Sequence, residues 1–154
     1  MNLYKSTINK LIKKNISVSV AESCTGGLLS STIVSIPGVS RIFNMGLIVY
    51  SNQAKIKLLN VNKNKLNKFG AVSKETANMM IINLSKISKS KLCISTTGIA
   101  GPAGELKNKP VGLVFIGIKY KSKNIIFKKK FKGTRKIIQK KTIDYIFKTI
   151  KSLV

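Results

Sequence analysis

The chain has 154 residues, with 29 Lys and Arg against 4 Asp and Glu and no histidine, a formal charge of +25. This length predicts a single domain over residues 1–154, and no apolar run approaches the roughly 18 residues of a membrane helix. Two cysteines are too few for a disulfide framework, and no acidic or thiol cluster has metal-ligand spacing. We therefore expect no metal, no cofactor, no membrane partner and, without an apolar signal segment, a cytoplasmic location.

The positive charge is carried almost entirely by lysine, since Arg41 and Arg135 are the only arginines. Specific nucleic-acid readout and bidentate phosphate binding favour arginine. Because Ile and Asn are also abundant, an AT-rich codon bias explains the lysines better than selected nucleic-acid binding does. A nucleic-acid partner is thus the less favoured alternative. The positive electrostatic field of the chain would, however, attract a small anionic substrate.

Hydrophobic spacing and turn residues define the elements. In chain order they predict a helix over 2–14, a strand over 16–20, a helix over 27–35, a buried strand over 45–51, helices over 52–59 and 74–87, a strand over 92–96, two hairpin strands over 111–119 and 124–131, and a closing helix marked by Ile143, Ile146, Phe147 and Ile150. Alternating strands and helices predict an α/β sandwich, and the hairpin makes its sheet mixed.

Three segments follow predicted strands, namely Glu22–Gly27, Tyr50–Lys55 and Thr97–Pro102. Ligand sites of α/β sheets lie beyond the carboxyl ends of parallel strands. We therefore expect these three segments to converge on one site.

Ser23 lies on a strand-to-helix turn, where its hydroxyl could act as a nucleophile. The N–H groups around Thr25, Gly26 and Gly27 would then stabilise an oxyanion. The local pattern alone favours a helix-capping serine instead. Its neighbour Cys24 has no histidine partner, so a small buried apolar residue is the better interpretation.

Without histidine, a lysine is the candidate base for Ser23. Lys55 could be buried and therefore neutral near pH 7, although lysine is so common here that its position alone means little. Tyr50 is either a hydrogen-bonding partner of the Ser–Lys pair or a core tyrosine.

The remaining candidates bear on substrate binding. Gly98 and Gly101 could let the backbone approach a ligand, or could form a plain turn. Arg135 suggests bidentate anion binding. A catalytic pair of carboxylates is not expected, because the acidic residues are scattered along the chain, at Glu22, Glu75, Glu105 and Asp144. Glu22 lies beside Ser23 and is expected to orient the turn.

Six blocks together are similar to one known family. They are A-E-S-C-T-G-G-L-L at 21–29, P-G-V-S at 37–40, Y-S-N-Q-A-K at 50–55, G-A-V-S-K-E-T-A at 70–77, T-G-I-A-G-P at 97–102 and K-P-V-G at 109–112. Their order and spacing resemble the C-terminal domain of competence/damage-inducible protein CinA, whose stand-alone members are nicotinamide-nucleotide amidohydrolases. The resemblance covers nearly the whole chain.

The resemblance implies a three-layer α/β/α sandwich with a mixed, mostly parallel five-stranded sheet in which one strand is antiparallel. It also implies hydrolysis of nicotinamide mononucleotide to nicotinate mononucleotide and ammonia. Within that family pattern Ser23 is the nucleophile, Lys55 the general base and Tyr50 a supporting hydroxyl, while Arg135 matches the arginine of a G-D-R motif. Hydrolysis of another amide remains an alternative, and so does a homo-oligomeric state.

Three departures from the family pattern bear on substrate affinity more than on chemistry. Thr134 stands where G-D-R has an acidic residue, Gln53 replaces a glutamate, and the glycine-rich continuation after G-I-A-G-P reads Ala103-Gly104-Glu105. None of them changes Ser23, Tyr50 or Lys55.

Overall fold

A five-stranded sheet forms the centre of the protein in a computed structural model that describes residues 2–154. Its strands are β1 (Val18–Glu22), β2 (Phe43–Ile48), β3 (Leu92–Gly98), β4 (Leu113–Tyr120) and β5 (Lys123–Lys130). They lie in the order β2-β1-β3-β4-β5.

The sheet is mixed, as the sequence predicts. Strand β1 pairs in parallel with β2 and β3, whereas β4 is antiparallel to both β3 and β5. Four strands therefore run in one direction and β4 alone runs against them. As a result, the carboxyl ends of β1, β2 and β3 meet at one edge of the sheet.

Helices cover both faces of the sheet and confirm the three-layer α/β/α sandwich. They are α1 (Leu3–Lys13), α2 (Leu28–Val34), α3 (Asn52–Leu59), α4 (Lys63–Phe69), α5 (Lys74–Ser88) and α6 (Arg135–Leu153). Side chains of α1, α2 and α6 share one core cluster, and those of α3, α4 and α5 line the other face. No helix within residues 2–154 combines the length and the apolar character needed to cross a membrane.

Strand β1 is buried on both faces, and all five of its residues are buried, including the polar Ser19 and Glu22. Val18 and Val20 pack into the cluster of α1, α2 and α6, whereas Ala21 packs into the opposite cluster. This double burial is the usual environment of a central parallel strand.

The prediction of a buried strand over 45–51 is wrong in the strand's boundaries and in its burial. Strand β2 begins at Phe43 and ends at Ile48, and its residues alternate between half-buried and exposed. The reason is its position at the edge of the sheet, where it pairs only with β1. The buried part of the apolar run is Val49, which follows the strand.

Two helical regions differ from the prediction. Helix α4 was not predicted, because its seven residues contain only two apolar side chains. Its boundaries do carry local signals, since the Asn62 side chain accepts from the N–H of Lys65 and Gly70 ends the helix with a positive φ. Helix α6 begins at Arg135, well before the apolar positions that marked it.

Thr134 caps helix α6. Its hydroxyl accepts a hydrogen bond from the N–H of Ile137 at 3.4 Å. Threonine therefore fills a position that the family pattern gives to aspartate, and both side chains can cap a helix. Threonine at position 134 therefore retains the capping function that an aspartate would have.

Replacing Thr134 by alanine should lower the free energy of unfolding by about 0.5–1 kcal/mol, because the N–H of Ile137 loses its acceptor. Replacing it by aspartate should leave stability unchanged or raise it, since a carboxylate also favours a helix N-terminus. Urea unfolding of both variants measures the difference. Equal destabilisation by alanine and aspartate would contradict the capping role.

Candidate active site

Three strand ends bring the predicted site segments together. Glu22 at the end of β1 pairs in register with Ile48 of β2 and Thr96 of β3. Ser23 follows directly, and its N–H donates to the carbonyl of Thr96 at 3.0 Å. The predicted convergence of the segments is therefore present.

Glu22 holds the turn that carries Ser23. The side chain is 0% exposed. Its oxygens accept from the Thr25 hydroxyl (2.6 Å), the N–H groups of Gly27 (3.1 Å), Leu29 (3.0 Å) and Ser30 (2.7 Å), and the Ser30 hydroxyl (2.7 Å). Five donors thus compensate a buried carboxylate at the N-terminus of α2, where a negative charge is also favoured. The expectation that Glu22 orients the turn is met.

The side chain of Thr25 stabilises this turn. Its buried hydroxyl contacts Glu22 and lies 2.8 Å from the hydroxyl of Thr96. The Thr25 hydroxyl therefore links the end of β1 to the end of β3.

Only part of the predicted set of oxyanion donors is free. The N–H of Gly26 donates to the Ser23 carbonyl at 3.0 Å, and that of Gly27 donates to Glu22. Within residues 2–154, the N–H groups of Cys24 and Thr25 have no acceptor. The free donors of the turn therefore belong to the two residues that follow Ser23.

Lys55 contacts Ser23, as a Ser–Lys pair requires. Its Nζ lies 3.0 Å from the Ser23 Oγ and donates to the carbonyls of Val49 (3.0 Å) and Tyr50 (3.1 Å). Lys55 is 1% exposed and Ser23 is 7% exposed. Among all lysines in residues 2–154, Lys55 is the only buried one.

Burial lowers the pKa of Lys55 to about 8. Charging an ammonium group away from water is costly, so the neutral amine becomes accessible near physiological pH. A neutral amine has two N–H donors and one lone pair. Two carbonyls can take the donors, which leaves the lone pair to accept the Ser23 hydroxyl proton.

Cys24 does not compete as a nucleophile. The residue is buried, and desolvation raises the pKa of its thiol to about 12. A thiol with such a pKa supplies almost no thiolate near neutral pH.

Tyr50 contacts the Ser–Lys pair through its backbone carbonyl, which accepts from the Nζ of Lys55 and from the Oγ of Ser23. Its side chain is 57% exposed, so it is not a core tyrosine. Its hydroxyl accepts from Nη2 of Arg135 at 2.9 Å instead of contacting Ser23 or Lys55. The carbonyl of Tyr50 is what reaches Lys55, because the loop after β2 turns that carbonyl inward.

Arg135 joins two of the predicted segments. Its Nη1 donates to the carbonyl of Gly101 at 2.8 Å, while its Nη2 holds the Tyr50 hydroxyl. The residue is exposed at the first position of α6. Its guanidinium therefore stands at the rim of the site.

The two candidate glycines serve packing. A Cβ on Gly98 would lie 2.6 Å from the Leu113 carbonyl, so this position admits only glycine beside β4. Gly101 has φ +78° and would place a Cβ 2.5 Å from the Val111 side chain. Gly101 also contributes to the site through the carbonyl that accepts from Arg135.

Sequence reasoning missed the backbone acceptors of Lys55 and the role of Thr96. The carbonyls of Val49 and Tyr50 carry no residue-specific signal, because any residue type supplies them. The Thr96 hydroxyl contacts Thr25 across the strand ends, and only the β1–β3 register reveals it.

A protein-family model described as the CinA C-terminal domain matches residues 1–154. A putative competence-damage inducible protein of Clostridium beijerinckii is 47% identical over 135 residues, covering 88% of this chain and 33% of its own length. The chain thus spans about a third of that relative.

Solved structures agree with the sequence comparison. The competence/damage inducible protein CihA of Agrobacterium tumefaciens superposes with a TM-score of 0.92 at 31% identity, covering 99% of this chain and 96% of its own. A competence-damaged protein (CinA) superfamily protein of Escherichia coli superposes with a TM-score of 0.94 at 26% identity, covering 99% of this chain and 89% of its own.

Replacing Glu22 by glutamine should lower the free energy of unfolding by about 2–4 kcal/mol, because an amide cannot accept from all five donors and brings an N–H₂ against them. Glu75 lies exposed in the first turn of α5 and provides the matched control. Glu75→Gln should change stability by less than about 0.5 kcal/mol. Urea unfolding measures both, and equal effects would contradict the role assigned to Glu22.

Proposed function

Because the chain belongs to the family of CinA C-terminal domains, we propose that it is an amidohydrolase acting on nicotinamide mononucleotide. The products are nicotinate mononucleotide and ammonia. The observation that carries the proposal is the 3.0 Å contact between the buried Nζ of Lys55 and the Oγ of Ser23. A hydroxyl beside a neutral amine is an activated nucleophile.

The first half of the reaction forms an acyl-enzyme. The Ser23 Oγ attacks the carboxamide carbon while its proton passes to the Nζ of Lys55. The unused N–H groups of Cys24 and Thr25 stabilise the developing oxyanion. The C–N bond then breaks, and Lys55 returns the proton to the departing nitrogen, which leaves as ammonia.

The second half releases the acid. Water attacks the acyl carbon and gives a proton to Lys55, and the bond to the Ser23 Oγ breaks. Lys55 then returns the proton to Ser23. The same amine thus acts alternately as base and acid, and no histidine is needed.

Arg135 suits the phosphate of the substrate. Its two described hydrogen bonds leave further N–H donors of the guanidinium free, and planar donors match phosphate oxygens. The positive charge of the chain would draw such an anion to the site. In this proposal Tyr50 positions Arg135 by its hydroxyl and Lys55 by its carbonyl.

The distribution of lysine supports the enzyme over a nucleic-acid-binding protein. Lysines occur in helices on both faces of the sheet, including α1, α4, α5 and α6. A nucleic-acid interface would be expected to gather them on one continuous surface. Hydrolysis of a different amide by the same Ser–Lys pair is the nearer alternative, and a panel of amides tests it.

Ammonia release from nicotinamide mononucleotide should fall by about 10²–10⁴ in Ser23→Ala and in Lys55→Met, since one lacks the nucleophile and the other the base. Methionine is chosen because it fills the space of the buried lysine stem. Lys57 provides the matched control on the same helix, because its side chain is exposed.

Lys57→Met should retain full turnover. Circular dichroism and unfolding curves establish that each variant is folded before its rate is compared. Undiminished turnover in folded Ser23→Ala or Lys55→Met would refute the pair. Turnover of another amide but not of nicotinamide mononucleotide by the wild type would refute the substrate while keeping the pair.

The rate should depend on pH through Lys55. Only the neutral amine accepts the Ser23 proton, and the pKa of Lys55 is about 8. The value of kcat/KM should therefore rise about tenfold per pH unit below that pKa and level off above it. Initial rates between about pH 6 and about pH 10 measure the profile, and a rate that falls or stays flat across pH 8 would contradict this assignment.

A further inference from the structure

A cleft of about 390 Å³ opens between the start of helix α5 and strands β4 and β5. We name it the α5–β5 cleft, lined in part by Phe69, Phe115, Lys109 and Lys128. Its volume falls within the range of small-molecule sites, which starts at roughly 300 Å³. None of these four residues belongs to the Ser–Lys site.

The floor of the cleft is aromatic and aliphatic. Phe69, Phe115 and Ile126 line it, and Phe115 is almost fully buried. The ammonium of Lys68 lies 5.3 Å from the centre of the Phe69 ring. Such a floor suits a flat, electron-poor or heteroaromatic ring, which can stack on phenyl faces.

Three lysines surround this floor. Lys128 is paired directly opposite Phe115 in the β4–β5 register, so its side chain stands on the same face of the sheet. Lys109 donates to the Phe69 carbonyl at 2.9 Å, which fixes its ammonium beside the floor. Lys74 lies at the start of α5. Because neighbouring ammonium groups repel, this grouping favours an anion that bridges them.

One carboxylate, Glu75, lines the same cleft. It forms no ion pair with a lysine within residues 2–154, where Lys140 and Asp144 form the only one. A free carboxylate beside an aromatic floor is suited to accept hydrogen bonds from sugar hydroxyls. The cleft therefore combines a surface for a ring, an acceptor for a sugar and cations for a phosphate.

The α5–β5 cleft is separate from the Ser–Lys site. Ser23 follows β1, and β3, β4 and β5 succeed it across the sheet. Strands lie about 4.8 Å apart, so Ser23 and β5 are separated by about 14 Å. A ligand in the cleft would leave Ser23 accessible.

We propose that the α5–β5 cleft is a second binding site, for a mononucleotide. The base stacks on Phe69 beside the buried Phe115, the ribose hydroxyls meet Glu75, and the phosphate lies among Lys74, Lys109 and Lys128. The proposal is independent of amide hydrolysis, since no residue of the cleft takes part in that reaction.

Titration calorimetry with adenosine monophosphate tests the site in the whole chain. We expect saturable binding, weakened about tenfold in Lys128→Gln, since one charge-assisted phosphate contact is lost. Lys129→Gln is the matched control, because Lys129 follows on the same strand but lies over the Tyr145 ring on the opposite face. Lys129→Gln removes the same charge and should leave affinity unchanged.

Further measurements distinguish the contacts of the base from those of the phosphate, and the α5–β5 cleft from the Ser–Lys site. Phe69→Leu should weaken adenosine monophosphate but not inorganic phosphate, and inorganic phosphate should bind the wild type more weakly than the nucleotide. Arg135→Gln should not alter nucleotide binding at this cleft.

Three results would overturn the proposal. They are absence of saturable binding, equal weakening by Lys128→Gln and Lys129→Gln, and loss of binding in Arg135→Gln alone, which would place the nucleotide at the Ser–Lys site. Inactivity of the chain toward nicotinamide mononucleotide would leave the binding result valid, so the two proposals fail separately.

Discussion

The Glu22 carboxylate is the interaction on which the candidate active site depends. It is a buried negative charge, and its cost is offset by five hydrogen bonds from the turn and the first residues of α2. These bonds fix where the strand ends and the helix begins. Ser23 lies inside that span, so the direction of its hydroxyl toward Lys55 follows from the carboxylate. The same bonds occupy the N–H of Gly27 and leave those of Cys24 and Thr25 free.

Burial gives one lysine a different chemistry from all the others. The other lysines of the described residues are half-buried or exposed, and together they account for most of the formal charge of +25. Lys55 lies in the interior among three oxygen atoms, of Ser23, Val49 and Tyr50. Desolvation lowers its pKa to about 8, and within residues 2–154 no carboxylate forms an ion pair with its ammonium. Lys57, two residues along the same helix, has the same side chain and none of this environment.

Periodicity and turn residues predicted most of the fold, because α1, α5 and the inner strands bury one face or both. They failed where burial is partial: β2 lies at an edge, and α4 is short and polar. Residue types made Ser23 and Lys55 candidates, and the resemblance to the CinA family gave them their roles. The structure confirms their contact, while their catalytic roles stay a prediction. The sequence could not reveal that Tyr50 contributes its carbonyl to Lys55 and its hydroxyl to Arg135. Such contacts depend on how a loop turns, which residue type does not encode.

Strand β5 lies at the edge of the sheet opposite β2, and half of its eight residues are lysines. An edge strand has unpaired backbone groups that could bond to a strand of another molecule. Bringing two such strands together would place several ammonium groups against one another in a zone poor in water. The repulsion keeps this edge from continuing into a second sheet, so the lysines of β5 protect the protein against aggregation. Strand β2 has no charged side chain, and the two edges of the sheet are therefore unequally protected.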